Sequence, residues 1–137
     1  MTITKQTQPK LGYVIIYVPD VAGAVSFYER AFGVPPRFAH ESGMYAEMET
    51  GATALAFADE LSTPNHGAFE SNRVDKQAAG AEVAFVVEDV RAAFDRAVSH
   101  GAAVVTEPVD KPWGQTISYV RDLNGFLVEL CSAVQHG

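Results

Sequence analysis

Cysteine is nearly absent from this chain: Cys131 is the single one in 137 residues. An internal disulfide is excluded, and a lone thiol suits a reducing, cytoplasmic compartment. Long apolar runs are missing too; none approaches the ~20 residues that cross a bilayer. Met1–Lys10 lacks the apolar core of an export signal, so no membrane partner is expected. Basic residues are outnumbered, ten Lys and Arg against seventeen Asp and Glu, for a net charge of −7. Phosphates would be repelled by that balance, which argues against a nucleic-acid partner. No glycine-rich phosphate loop, Cys-x-x-Cys or Gly-x-Ser-x-Gly occurs, so nucleotide binding and serine hydrolysis lack support.

What is present is an ordinary globular composition, 47% hydrophobic and 20% charged, in a length that suits one domain. Tyr13–Val18 is a β-branched and aromatic run, hence a strand. Asp20 follows as a helix N-cap, and Val21, Ala24, Val25, Tyr28 and Phe32 form one apolar helical stripe. Gly33 stands where a left-handed cap belongs, and Pro35-Pro36 forbids further helix. The same order returns 69 residues later. Val83–Val87 reads as a strand, Asp89 as an N-cap, Val90, Ala93, Phe94, Ala97 and Val98 as the stripe, and Gly101 as its end. Val14/Val83, Val18/Val87, Asp20/Asp89, Val21/Val90 and Ala24/Ala93 are identical pairs at that offset. The chain reads as a duplicated unit.

Strand-like segments follow each helix: Arg37–His40, Tyr45–Glu49 and Ala52–Ala58, then Ala103–Thr106, Gln115–Arg121 and Phe126–Cys131. Thr50-Gly51 and Asp122–Gly125 supply turns. The expectation is an α+β fold of two tandem βαβββ modules in a single domain over residues 1–137. Module 1 covers about 11–58 and module 2 about 81–132. The polar crossover between them, 59–80, is long enough to carry function, such as an edge or lid over a site.

Alternation along each strand separates two faces. Val14, Ile16 and Val18 should pack on the first helix, with Leu55 and Phe57; Val83, Phe85 and Val87 on the second, with Phe126, Val128 and Leu130. The opposite face then carries Tyr13, Ile15, Tyr17, Ala54, Ala56 and Ala58 in module 1. In module 2 it carries Glu82, Ala84, Val86, Leu127, Glu129 and Cys131. Alanines fill space poorly, so a curled sheet would leave a cup there; the alternative is that this face is simply solvated.

The pattern resembles the vicinal-oxygen-chelate superfamily of glyoxalase I, bleomycin-resistance proteins and extradiol dioxygenases. The resemblance is carried by Tyr17-Val18-Pro19-Asp20, Phe27-Tyr28-Glu29 and Phe32-Gly33, with Lys111–Gln115 and Tyr119–Leu130 in the second module. It implies paired modules forming a cupped mixed sheet, usually two cups per homodimer. It also implies metal-ligand positions on the first and last strands of each module, here Tyr13, Ala56 (Leu55 if the hairpin slips by one), Glu82 and Glu129. Two of the four are carboxylates and none is histidine. The expectation is therefore no cofactor, or a weakly bound hard divalent cation on Glu82 and Glu129.

If Glu82 and Glu129 meet in the cup, one carboxyl must titrate high, leaving a metal, a cationic ligand or a shared proton for acid/base catalysis as outcomes. Trp113 serves either as a hydrophobic plug or as a stacking wall for a flat ligand; Tyr13, Tyr17, Tyr45 and Tyr119 are candidate cavity liners. His100 is explained by a helix C-terminus, and His66 is the crossover's histidine. Two readings of function compete: capture of a small planar or cationic molecule for sequestration or resistance, and a metal-dependent glyoxalase-like lyase, isomerase or dioxygenase.

Overall fold

A computed structural model describes residues 7–134; His136 lies outside the described residues. The chain runs β1 (Tyr13–Val18), α1 (Val21–Phe32), β2 (Pro36–Ala39), β3 (Tyr45–Met48) and β4 (Ala54–Asp59), then β5 (Glu82–Val86), α2 (Val90–Ser99), β6 (Ala103–Lys111), β7 (Gln115–Arg121) and β8 (Leu127–Cys131). Both halves are βαβββ. The strands form two separate four-stranded mixed sheets, one per module, ordered β1-β4-β3-β2 and β5-β8-β7-β6, rather than one continuous sheet. The first and last strands of each module run parallel and the other pairs antiparallel. A parallel neighbour needs a crossover, and the helix supplies it.

Each helix starts the way its sequence dictates. Asp20 accepts from Gly23 N at 3.1 Å and Asp89 from Ala92 N at 3.0 Å, satisfying one otherwise free donor in each first turn. The ends differ. Gly33 caps α1 in the left-handed conformation at φ 72°, while α2 stops at His100 and the positive φ passes to Gly101. Arg96 of α2 reaches across to donate to the carbonyl oxygen of Arg30 at 2.9 Å, so one helix also satisfies the C-terminus of the other.

Ile16, Val18, Leu55 and Phe57 meet Val21, Ala24, Phe27, Tyr28 and Ala31 in one buried cluster that continues into Phe94, Ala97, Val120, Val128 and Leu130. The core is therefore shared, and each helix is packed against its own sheet and against the other helix. Across that seam the Tyr28 hydroxyl donates to Asp122 Oδ2 at 2.6 Å, and backbone N–H groups of Asn124 and Phe126 donate to Asp122 Oδ1. A buried carboxylate with three donors is satisfied rather than orphaned.

Several strand expectations shift. β6 extends well past Thr106 to Lys111, because irregularities between Val104 and Thr106 and between Thr106 and Val109 let this edge strand keep pairing with β7 around Pro108. Val14 is not core: it sits near the start of β1, 37% exposed, beyond the reach of α1.

Candidate functional site

The faces turned away from the helices hold the chemistry. In module 1 the register aligns Tyr13 with Ala54, Ile15 with Ala56 and Tyr17 with Ala58; Glu47 lies beside Ala56 and Tyr45 beside Ala58. The result is a column of alanines between larger walls. Module 2 repeats the geometry, with Ala84 beside Glu129 and Tyr119 on the other flank of Glu129. Ile15 and Ala84 are equivalent at the 69-residue offset, and their ladder partners are Ala56 and Glu129. The hairpin thus keeps its register, and Ala56 rather than Leu55 is the counterpart of Glu129.

Glu82 and Glu129 do meet. Burial and the neighbouring Glu129 carboxylate, through a hydrogen bond and its charge, hold the Glu82 carboxyl above its ordinary value. A carboxyl held beside a second acid is harder to ionise, which is the direction Glu82 takes. Tyr119 is pushed up by burial and by the same two acids, and Cys131 by burial and Glu129. Cys131 is buried at 3% exposure and has no cation beside it that would favour a thiolate. Trp113 is 54% exposed, so it is no buried plug. Its indole N–H donates to Gln115 Oε1 at 2.7 Å, and the Gln115 amide donates to the Ser132 carbonyl oxygen at 3.1 Å.

Module 1 handles its acid differently. The Tyr45 hydroxyl donates to Glu47 at 2.8 Å, and Arg37 lies 3.9 Å from the same carboxylate while forming a closer pair with Glu49 at 2.9 Å. Burial and the bond to Glu47 push the Tyr45 phenol up to about 12. Glu47 was legible from the alternation that separates Tyr45 and Glu47 from the buried Ala46 and Met48, yet sequence reasoning singled out only Tyr45. Tyr17 is engaged by the crossover: Phe69 stacks on its ring at 4.5 Å and 11°, and Asn65 and Thr63 donate to its oxygen at 2.9 and 3.3 Å. No local pattern in the sequence marked Phe69, because loop contacts have no period.

The histidines stand apart from this face in role. His40 bonds Ser42 in a turn, His66 contacts the Glu60 carbonyl oxygen, and His100 contacts the Arg96 carbonyl oxygen at the end of α2. Among the described residues no group of three or more His, Cys, Asp or Glu side chains is placed to hold a metal ion. With Ala56 and Tyr13 at the other two positions, the donor set does not fit a resident transition metal, which wants imidazole or thiolate.

A groove of about 570 Å³ runs beside β5, lined by Glu82–Val86 on one side and by Val14, Val34, Thr53 and Leu55 among others opposite. Tyr13, Ile15 and Val86 are 58%, 44% and 66% exposed. β1 and β5 are each an outer strand of their sheet among the described residues. Among the described residues no helix is long and apolar enough to cross a membrane.

Solved structures with this arrangement include a glyoxalase-related enzyme from Fulvimarina pelagi, 18% identical with a TM-score of 0.76, covering 92% of this chain and 89% of that one. A glyoxalase/bleomycin resistance protein/dioxygenase family enzyme from Burkholderia phytofirmans PsJN is 17% identical with a TM-score of 0.79, covering 92% of this chain and 100% of that one. TioX from Micromonospora sp. ML1 is 26% identical with a TM-score of 0.68, covering 90% and 98% respectively. No curated protein matches the sequence. The Glyoxalase/Bleomycin resistance protein/Dioxygenase superfamily model matches residues 10–130. The repeated βαβββ module, the alanine-floored inner faces and this match together place the chain in that superfamily.

Proposed function

We propose that this protein captures a small planar, cationic organic molecule on its inner sheet faces, for sequestration rather than metal-dependent turnover. The observation that carries this reading is the Glu82–Glu129 pair, two neighbouring acids with no salt bridge to a basic side chain among the described residues. A guest cation beside the two acids relieves their mutual repulsion. Tyr119 beside Glu129 and the half-exposed Trp113 offer aromatic faces to the flat part of such a guest. Tyr13, Tyr17 and the small Ala56 supply the corresponding wall and floor in module 1. The −7 net charge draws cations toward the molecule.

The reading includes a homodimer in the cytoplasm. Two outer strands with exposed apolar side chains suit a second copy laid edge to edge, and sedimentation velocity tests it through the expected mass of two chains.

The experiment on function is a titration of chelator-treated protein with proflavine, a flat aromatic cation, followed by Trp113 quenching. Saturable quenching is expected without metal. Glu82→Gln and Glu129→Gln should each weaken it about tenfold, the loss of one partly screened charge contact. Binding that returns only with added divalent metal, or that ignores both substitutions, overturns the reading.

A further inference from the structure

The crossover 60–81 has fixed roots and a lightly held middle. At one root Glu60, 5% exposed, is paired with Arg73, whose Nη1 donates to Glu60 Oε1 at 2.9 Å. At the other, the Arg121 guanidinium donates to the carbonyl oxygens of Arg73 and Lys76 at 3.2 and 2.6 Å. Between those anchors, Leu61, Pro64, Asn65, His66, Gly67 and Ala68 are exposed. Gly67 has a φ of 90°, and a Cβ there would meet nothing within 4 Å. Leu61 and Ser62 N–H groups donate to the Asp59 carboxylate at the end of β4, and His66 contacts the Glu60 carbonyl oxygen; beyond them, residues 63–69 meet the inner sheet face at the Tyr17 side chain, through two hydrogen bonds to its oxygen and the Phe69 ring on its face.

The sheet itself leaves that ring uncovered. Tyr17 is on the inner face, since its neighbours Ile16 and Val18 are in the core at 4% and 0% exposure. Its partner across the ladder is Ala58, whose side chain ends at Cβ. An aromatic face beside an alanine wants a flat cover, and a loop with few attachments opens at low cost.

We propose that Tyr17 is a stacking subsite for the flat part of the guest, that Phe69 occupies this subsite in the free protein, and that residues 63–69 swing away when the guest replaces it. This rests on the capture of a planar molecule proposed above. Phe69 thereby selects by shape: a guest must stack on Tyr17 better than a tethered phenyl ring does. Thr63 and Asn65 set how firmly the segment is shut.

The test is stopped-flow binding of proflavine, read by its own fluorescence, to wild type, Phe69→Ala, Tyr17→Phe and Tyr17→Leu, with folding checked by circular dichroism. Phe69→Ala removes the competitor and should raise the association rate and affinity on the order of fivefold to tenfold. Tyr17→Phe keeps the ring but drops both anchoring bonds, so association should quicken as well. Tyr17→Leu removes the subsite and should weaken binding by a similar factor. If wild type binds but Phe69→Ala is unchanged, or binds more weakly, the displaceable cover is overturned while capture stands. If no variant binds proflavine, both fall.

Discussion

The two modules share a backbone plan but treat a carboxylate on the same face in opposite ways. In module 1 Glu47 accepts from Tyr45 and lies near Arg37, so its charge is answered within the chain. In module 2 Glu129 meets a second acid, Glu82, and forms no salt bridge among the described residues. The acids occupy different places in the repeat, Glu47 on β3 beside Ala56 and Glu129 on β8 at the place Ala56 holds in module 1, so the same backbone plan carries two different charge arrangements.

The largest test of this comparison concerns the core beneath both faces. Phe57 pairs with Ile16 in module 1, and Leu130 pairs with Phe85 at the equivalent place in module 2. Phe57→Ala should cost about 3–5 kcal/mol and Leu130→Ala about 2–5 kcal/mol. Because the buried cluster spans both modules, each variant should shift a single calorimetric transition. Two separated transitions would show that the modules fold as independent units.

A smaller effect is expected at the helix starts. Asp20→Ala and Asp89→Ala remove equivalent caps and should each cost about 1 kcal/mol in chemical denaturation. Their surroundings differ: a Cβ at Gly23 would lie 2.6 Å from Asp20 Oδ2, whereas Ala92 carries one beside Asp89. Gly23→Ala should therefore turn the Asp20 carboxylate slightly and keep the cap, as Ala92 does beside Asp89, so Asp20→Ala should still cost about 1 kcal/mol in the Gly23→Ala background.

The smallest and most diagnostic effect is a difference of sign. Glu47→Gln should destabilise by about 0.5–1.5 kcal/mol through a weakened hydrogen bond and should bring the Tyr45 phenol below about 12 in a spectrophotometric titration. Glu82→Gln should stabilise at neutral pH by a few tenths of a kcal/mol, given solvent screening. The Glu82 carboxyl is raised in the folded chain. Its favourable contribution is thus present below the ordinary glutamate range and lost as pH rises through the raised value. The gain in Glu82→Gln should accordingly vanish near pH 4 and appear above it. Equal signs for the two variants at pH 7 would remove the contrast between the modules.

Much of this architecture was legible in residue order. Strand alternation located the core faces around Ile16, Val18, Phe57, Val128 and Leu130, and the Asp20 and Asp89 caps fell where the stripes began. It misled at Val14, because alternation describes which way a side chain points and not whether a helix is there to cover it. β6 was read too short because its register slips break the two-residue period that identifies a strand.

The site was legible in part, for the same reason. Alternation put Glu82, Glu129, Tyr13, Tyr17 and the alanines on one side, but proximity across strands is set by register and pairing. Only the parallel ladders of β1 with β4 and β5 with β8 brought Glu82 to Glu129 and aligned Ala56 with Ile15. Trp113 shows the limit: its type suggested burial or stacking, and its position in the turn between β6 and β7 leaves it half-exposed.

Residue order alone determined the repeat, the helix boundaries and the sidedness of the strands, since those follow from interactions a few residues apart. Tertiary structure decided which acids lie together, which is matched by Tyr45 and Arg37, and that Phe69 lies on Tyr17. Apart from the local Tyr45–Glu47 bond, those contacts join residues 10 to 52 positions apart. Their energies depend on distance and solvent exposure, which exist only once the chain has folded.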